Sequence, residues 1–335
     1  MRIVLDLQGA QSDSRFRGIG RYSLALAKAI AREALNKHEV WLALSERLPE
    51  AIEWLRTEFS GLVPQDRIRV FELPGPVAEL DLANTWRMQA AELIREKFLA
   101  DLQPDIVHIS TLFEGCHNEV VASVARLDTN IPTAVTLYDL IPLLRPDSYL
   151  QEPARERHYL RHAQSLKRAD LLLAISASSA REATETLDVP QSRIVNIGAG
   201  VGDWFRPVSV FGPDHTGLAN CGGLQEPFIL FTGGTEPRKN LRGMIAAFAR
   251  LPAELREKYQ LVVTGGLTEQ ERERIAQEAM AERLAPRKIV FADYVTDEQL
   301  RILYNACALF VFPSLHEGFG LPILEAMACG APAIG

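Results

Sequence analysis

The stretch Leu309-Phe310-Val311-Phe312-Pro313-Ser314-Leu315-His316-Glu317-Gly318-Phe319-Gly320-Leu321-Pro322-Ile323-Leu324-Glu325-Ala326 runs from a short apolar segment through a glycine-containing loop into a helix-forming segment. The apolar run closed by Pro313 reads as a buried strand. Gly318 and Gly320 allow a tight turn and a close approach of ligand to backbone. Pro322 suits the first position of a helix. The amides of Gly320 and Leu321 then point from a helix N-terminus, where unpaired N–H groups attract an anion. Glu317 lies in the loop, and Glu325 lies in the first helical turn or just beyond. Carboxylates on either side of a phosphate cradle can accept hydrogen bonds from hydroxyls at the two ends of a nucleotide-sugar. The competing reading is a plain strand–turn–helix connection with a capping glutamate.

The same alternation extends outward. Upstream in the second half, strands are expected at 228–233, 259–264 and 287–291, with helices near 240–250, 268–283, 297–305 and 322–329. In the first half, strands are expected at 2–6, 38–44, 67–72, 105–109, 132–138, 170–175 and 193–197. Helices are expected near 20–35, 84–101, 151–168 and 177–187. Short β-branched runs separated by longer amphipathic stretches mark βαβ units with parallel sheets, an α/β fold. Between the halves, Arg206-Pro207, Gly212-Pro213, Gly217 and Gly222-Gly223 punctuate a linker. The expected domains are therefore 1–205 and 226–335, joined by a linker over 206–225.

Composition bounds the function. A chain of 335 residues with 47% hydrophobic and 24% charged residues is that of an ordinary globular protein. The net charge of -7 argues against a nucleic-acid partner, which calls for a basic footprint. Cys116, Cys221, Cys307 and Cys329 form no C-x-x-C pair, and free thiols fit a reducing, cytoplasmic setting. No apolar run approaches the roughly 18 residues of a membrane span.

Gly233-Gly234-Thr235-Glu236-Pro237-Arg238-Lys239-Asn240 lies between a strand and a helix. Arg238 and Lys239 bring two cations to a strand's C-terminal end, where α/β folds bind ligands. Fixed cations offset the charge that grows on a departing diphosphate. Ser14-Arg15-Phe16-Arg17-Gly18-Ile19-Gly20-Arg21-Tyr22, after the first strand, offers glycines and arginines at another helix start. Val135-Thr136-Leu137-Tyr138-Asp139-Leu140 ends a further strand on polar groups.

The Glu317–Glu325 segment resembles the E-x7-E motif of GT-B glycosyltransferases, specifically the retaining family 4 (group 1). That resemblance implies two facing Rossmann-like domains, the second incomplete. It also implies a nucleotide-sugar donor in the cleft, no resident cofactor, and no metal for the chemistry, in keeping with the lack of a D-x-D. It assigns Glu317 to the donor sugar, Glu325 to the ribose and Lys239, with Arg238, to the diphosphate. Gly18, Gly20, Gly234, Gly318, Phe319, Gly320 and Leu321 fall at donor-binding positions, and Arg15, Arg17 and Arg21 border the acceptor. Two residues depart from the family pattern. Some members carry arginine where Gly233 stands, and most carry histidine, near the sugar's reacting face, where Tyr138 precedes Asp139; the resemblance makes Tyr138 and Asp139 catalytic candidates. Ile197-Gly198-Ala199-Gly200-Val201-Gly202-Asp203-Trp204-Phe205-Arg206-Pro207 completes the likeness at the domain junction.

The arginine loop is similar to the start of bacterial O-polysaccharide mannosyltransferase modules. That likeness implies mannosyl transfer from GDP-mannose to a glycan or lipid-linked glycan hydroxyl. Two alternatives stay open: a sugar-nucleotide epimerase, and a degenerate glycan-binding or scaffold module of a larger protein. Ala331–Gly335 reads as a strand opening with nothing after it, so the chain is expected to be a C-terminally truncated fragment, one module among others in a longer protein. His158 and His162 stand four apart on a helix, but no partner carboxylate completes a metal-protease pattern. The same helix carries Arg155, Arg157, Arg161, Lys167 and Arg168, read as a solvated face or a peripheral inner-membrane contact.

Overall fold

The computed structural model describes residues 1–127, 130–209, 224, 227–292 and 295–335. Most of the expected linker, with Cys221, lies outside the described residues. The chain divides into two compact units, Met1–Ala199 and Gly200–Gly335.

The first unit carries a parallel sheet of seven strands: β1 (Arg2–Asp6), β2 (Glu39–Ser45), β3 (Ile68–Phe71), β4 (Ile106–Ile109), β5 (Thr133–Leu137), β6 (Leu171–Ala174) and β7 (Ile194–Asn196). Their spatial order is β3-β2-β1-β4-β5-β6-β7. Both faces are covered, and the two-residue period of a strand shows it. Val4 joins one buried cluster, with Val107, Val135 and Leu172. Its neighbour Leu5 joins another, with Leu42, Ala27 and Ala31. Near-continuous apolar strands are what a parallel sheet buried on both faces requires.

Helix Gly18–Ala34 packs with small residues, Ala27, Ala31 and Ala34. Helix Thr85–Asp101 buries charged residues alongside Met88, Ala91 and Leu99. It buries Glu92, Arg95 and Glu96 while Trp86 is 64% exposed. The reason is pairing. Arg95 Nε donates to Asp6 Oδ2 at 2.6 Å, and Glu96 accepts from Ser123 Oγ and from the Arg126 and Leu127 amides at 2.6, 2.8 and 2.7 Å. Buried charges persist only when partnered in this way.

The second unit repeats the plan with β8 (Phe228–Thr232), β9 (Gln260–Thr264), β10 (Ile289–Ala292), β11 (Leu309–Val311) and β12 (Ala333–Ile334), in the order β10-β9-β8-β11-β12. Leu230, Val262 and Phe310 face one cluster, and Phe231, Leu261 and Val263 the other. The strand expected at the chain's end is β12. It is outermost in this sheet among the described residues and pairs Ala333 with Phe310 and Ile334 with Val311.

Strand order reverses between β1 and β4 in the first unit and between β8 and β11 in the second. Such switch points, at the C-terminal ends of the strands, are where open α/β sheets take ligands. Helices Ile52–Glu58, Ile141–Leu144, Pro146–Tyr149 and Ala253–Lys258 were not expected from the sequence. Each is too short to display a helical period. Among the described residues, no helix is long and apolar enough to cross a membrane.

Candidate functional site

At the second unit's switch point, the loop after β8 meets the loop after β11. The first contains Gly233–Asn240 and the second Phe312–Gly320. Their backbones are tied directly: the Leu315 amide donates to the Arg238 carbonyl at 2.7 Å. Asn240 Nδ2 donates to the Pro313 carbonyl at 3.1 Å. Asn240 takes a left-handed conformation (φ 56°, ψ 38°) that ends the short turn Pro237–Lys239 and starts helix Leu241–Ala249. Asparagine is among the few residues that visit this region readily.

These ties bring Glu317 to both cations. Lys239 Nζ donates to Glu317 Oε1 at 2.7 Å, and Arg238 Nη1 donates to Oε2 at 2.6 Å. Burial alone pushes the Glu317 carboxyl up. The charge and hydrogen bond of Lys239, then the charge of Arg238, outweigh that and hold it below the usual carboxylate range. Arg238 also reaches Glu236 Oε2 at 2.9 Å and the His316 carbonyl at 3.3 Å. Lys239 Nζ lies 5.2 Å from the Phe312 ring centroid, within cation–π range.

Gly233, one of the two departures from the family pattern, has a physical reason here. Its φ is 140°, and an added Cβ would meet Lys239 Cδ at 3.3 Å. The lysine stem occupies the space that a side chain at 233 would need. Gly234 is half-buried beside it.

Gly320 caps helix Leu321–Ala328, so Pro322 sits in its first turn as expected. Gly318 is buried, Leu321 is half-buried and Phe319 is 37% exposed. Glu325 lies deeper than its partner glutamate, at 4% exposure, with Tyr304 Oη donating to its Oε2 at 3.1 Å. The Thr235 hydroxyl donates to Glu271, which also closes a capping box with Thr268 at the start of helix Glu269–Ala281. The sequence reading missed Glu236, and it missed Tyr304 and Glu271, whose contacts with Glu325 and Thr235 span 21 and 36 residues of sequence.

The first unit places its selected residues around β1, β4 and β5. Gly20 is buried at the start of helix Gly18–Ala34. A Cβ there would come within 2.2 Å of the Ser14 carbonyl oxygen and 2.4 Å of Arg15 Cα. The glycine therefore lets the helix press on the turn Asp13–Phe16. Arg15 is drawn back, donating to the Gln11 carbonyl at 2.7 Å and to Glu50 Oε2 at 3.2 Å. Gly18 and Arg21 are half-buried, and Arg17 is exposed.

Tyr138 shares a 2.8 Å hydrogen bond with Ser23 Oγ and donates to the Ile19 carbonyl at 3.3 Å. Its ring meets Tyr22 edge-on, with centroids 5.6 Å apart. Burial pushes the Tyr138 hydroxyl well above its ordinary value. In this structure Tyr138 ties the end of β5 to the helix that begins at Gly18. Asp139 Oδ1 accepts from the Ile141 amide at 3.1 Å and turns the chain after β5.

The helix expected near 151–168 is Pro153–Leu166. Its solvated-face reading fails for Arg161, and its two histidines are buried. His158 and His162 are 3% and 1% exposed, and Arg161 turns inward to Glu79 and Glu92. Glu79 is the carboxylate that sequence spacing did not reveal.

Comparisons with known proteins follow this geometry. Residues 17–200 match the family described as glycosyl transferase 4-like domain, and residues 223–335 match glycosyl transferases group 1. The serotype-specific mannosyltransferase WbdA of Escherichia coli is 36% identical over all of this chain, which spans 40% of that protein's length. The O-antigen chain mannosyltransferase B of E. coli is 32% identical over 59% of this chain and 51% of its own. Among solved structures, Anabaena HepE in complex with UDP and glucose superposes with a TM-score of 0.62 at 19% identity, covering 99% of this chain and 80% of that one. WaaG, described as a glycosyltransferase of lipopolysaccharide biosynthesis, gives a TM-score of 0.60 at 15% identity, covering 99% and 80%. These likenesses show the GT-B fold, and with the matches to residues 17–200 and 223–335 they establish that the chain belongs to the group 1, family 4-like glycosyl transferases.

Proposed function

We propose that the chain catalyses retaining transfer of a hexosyl group, mannosyl by preference, from a nucleotide-sugar to a hydroxyl of a growing bacterial surface polysaccharide. The observation that carries this reading is the triad of Glu317, Lys239 and Arg238 at the switch point of the second sheet. Lys239 and Arg238 take the donor diphosphate, Glu317 turns to the sugar hydroxyls, and Glu325 serves the ribose. The mannosyl preference, and GDP-mannose as donor, rest on the WbdA and O-antigen mannosyltransferase relatives. A glycan or lipid-linked glycan is the acceptor.

The chemistry follows from the charges. The bond between the anomeric carbon and the diphosphate oxygen breaks, and negative charge gathers on the diphosphate. Two cations already in place stabilise that charge without rearranging, which is where fixed electrostatics contribute most. The acceptor oxygen bonds to the anomeric carbon on the face the diphosphate leaves, and the acceptor proton passes to a departing phosphate oxygen. No divalent ion is needed at the diphosphate when Lys239 and Arg238 supply the charge.

The test is turnover of the chain with a panel of nucleotide-sugars, with and without a chelator, well below its unfolding temperature. GDP-mannose turnover that is unchanged by chelation supports the reading. A strict Mg²⁺ or Mn²⁺ requirement for the chemical step contradicts the metal-free diphosphate site.

A further inference from the structure

We infer that Glu79, His158 and His162 form a binding site for a single divalent transition-metal ion of the zinc class, which staples a loop of the first unit to a helix. Glu79 lies on the loop between β3 and helix Thr85–Asp101. The histidines stand one turn apart on helix Pro153–Leu166, with ring centroids 4.4 Å apart. One ligand atom from each residue lies within 4.8 Å of the others. Glu79 Oε1 is 3.0 Å from His158 Nδ1 and 3.1 Å from His162 Nε2. Ligands sharing a tetrahedral zinc at bonds of about 2.0–2.2 Å stand about 3.3–3.6 Å apart, a few tenths of an ångström wider than these two separations.

The protons on His158 decide between a hydrogen bond and a shared ion. Its Nε2 lies 3.2 Å from the Phe113 carbonyl, which only accepts, so that nitrogen carries the proton. In the neutral ring, Nδ1 then carries a lone pair, and it faces a carboxylate oxygen. Nδ1 makes no hydrogen bond: the oxygen is close but off the N–H direction. Two acceptors that converge without pointing at each other are what a cation between them produces. A ring N–H given to a backbone carbonyl is also the usual outer partner of a metal-ligating histidine.

The surroundings fit. Arg161 contacts Oε1 through Nη2 and donates from Nε to Oε2 at 3.2 Å, while its Nη1 pairs with Glu92. An ion on Oε1 and His162 Nε2 takes the place of Arg161 Nη2, which contacts both atoms, and of the hydrogen bond between them, and leaves Arg161 Nε on Glu79 Oε2 as an outer partner of the same carboxylate.

The site shares no residue with the proposed donor site, so its test does not depend on transferase activity. The chelator-treated chain is titrated with Zn²⁺ and, separately, with Co²⁺. One equivalent should bind, Co²⁺ should develop the intense visible absorption of tetrahedral coordination, and Zn²⁺ should raise the melting temperature. His158→Ala, His162→Ala and Glu79→Gln should each lose more affinity than the roughly 10–100-fold that removing an outer-shell partner costs. Failure of the native chain to bind either ion at micromolar concentration overturns the inference. Binding that survives loss of both histidines does the same. If the variants do not fold, the Co²⁺ spectrum of the native chain decides, and its absence is the negative result.

Discussion

Lys239 Nζ stands 2.7 Å from Glu317 Oε1, so the cation proposed for the diphosphate and the carboxylate proposed for the sugar are each other's partners. With Arg238 on its other oxygen, Glu317 occupies the place of an anion between two cations. On the proposed reading, a donor diphosphate takes over those cations and releases Glu317 toward the sugar. Binding and turnover therefore depend on Glu317 with opposite signs.

Glu317→Gln removes the internal anion but keeps the shape. Nucleoside diphosphate should bind several-fold tighter by calorimetry, because Lys239 and Arg238 no longer hold a competing charge. Sugar transfer should fall roughly 10–100-fold, since hydrogen bonds to charged groups contribute about 1.5–3 kcal/mol. Weaker diphosphate binding in this variant would refute the competition.

Acid should weaken the second unit through the same residue. Glu317 has a native value below its unfolded one, so its contribution to stability is complete above about 4.3, the unperturbed glutamate value. It is lost as pH falls through the depressed native value. Thermal unfolding between pH 6 and the acid limit should therefore show a shallower loss of melting temperature in Glu317→Gln than in the native chain. Equal slopes would mean the ion pairs contribute nothing.

Gly20→Ala should destabilise the first unit, because its Cβ meets backbone atoms that cannot rotate away. Overpacking of this kind costs about 1–3 kcal/mol. Urea denaturation should show a lower midpoint with little change in slope, and a midpoint within error of the native chain would remove the packing reason for glycine.

Tyr138→Phe should lose the bonds to Ser23 and the Ile19 carbonyl, about 0.5–1.5 kcal/mol each. Hydrogen exchange should rise at the start of helix Gly18–Ala34. Because Tyr138 keeps its proton far above neutral pH, no ionisation of Tyr138 should appear in the pH–rate profile.

The alternation of strand and helix was legible throughout, because a parallel sheet buried on both faces writes continuous apolar runs such as Phe228–Thr232. The two-loop site was legible for a related reason. Ligand-facing loops follow the strand ends, and Lys239 and Glu317 each stand a few residues past one. What the sequence did not show were contacts across long separations. Arg95, buried on helix Thr85–Asp101, is explained by Asp6, on a strand 89 residues earlier, and by the Ser123 carbonyl. Glu79 is 79 residues from His158 and looks like one more acidic loop residue until the fold brings them together. Tyr138 read as a departure from a pattern, and only its neighbours showed what its hydroxyl holds.

The most direct measurement is sugar transfer from GDP-mannose to a polysaccharide acceptor by the native chain, Lys239→Ala and Glu317→Ala, with the product's anomeric configuration read by NMR. Removing a fixed charge that stabilises a leaving group costs roughly 100–1,000-fold in rate. The native chain should transfer mannose with retained configuration, Lys239→Ala should fall by about that factor and Glu317→Ala by roughly 10–100-fold, with both variants still folded at the assay temperature. Transfer at native rates by both variants, or an inverted product, would contradict a retaining site built on Lys239 and Glu317.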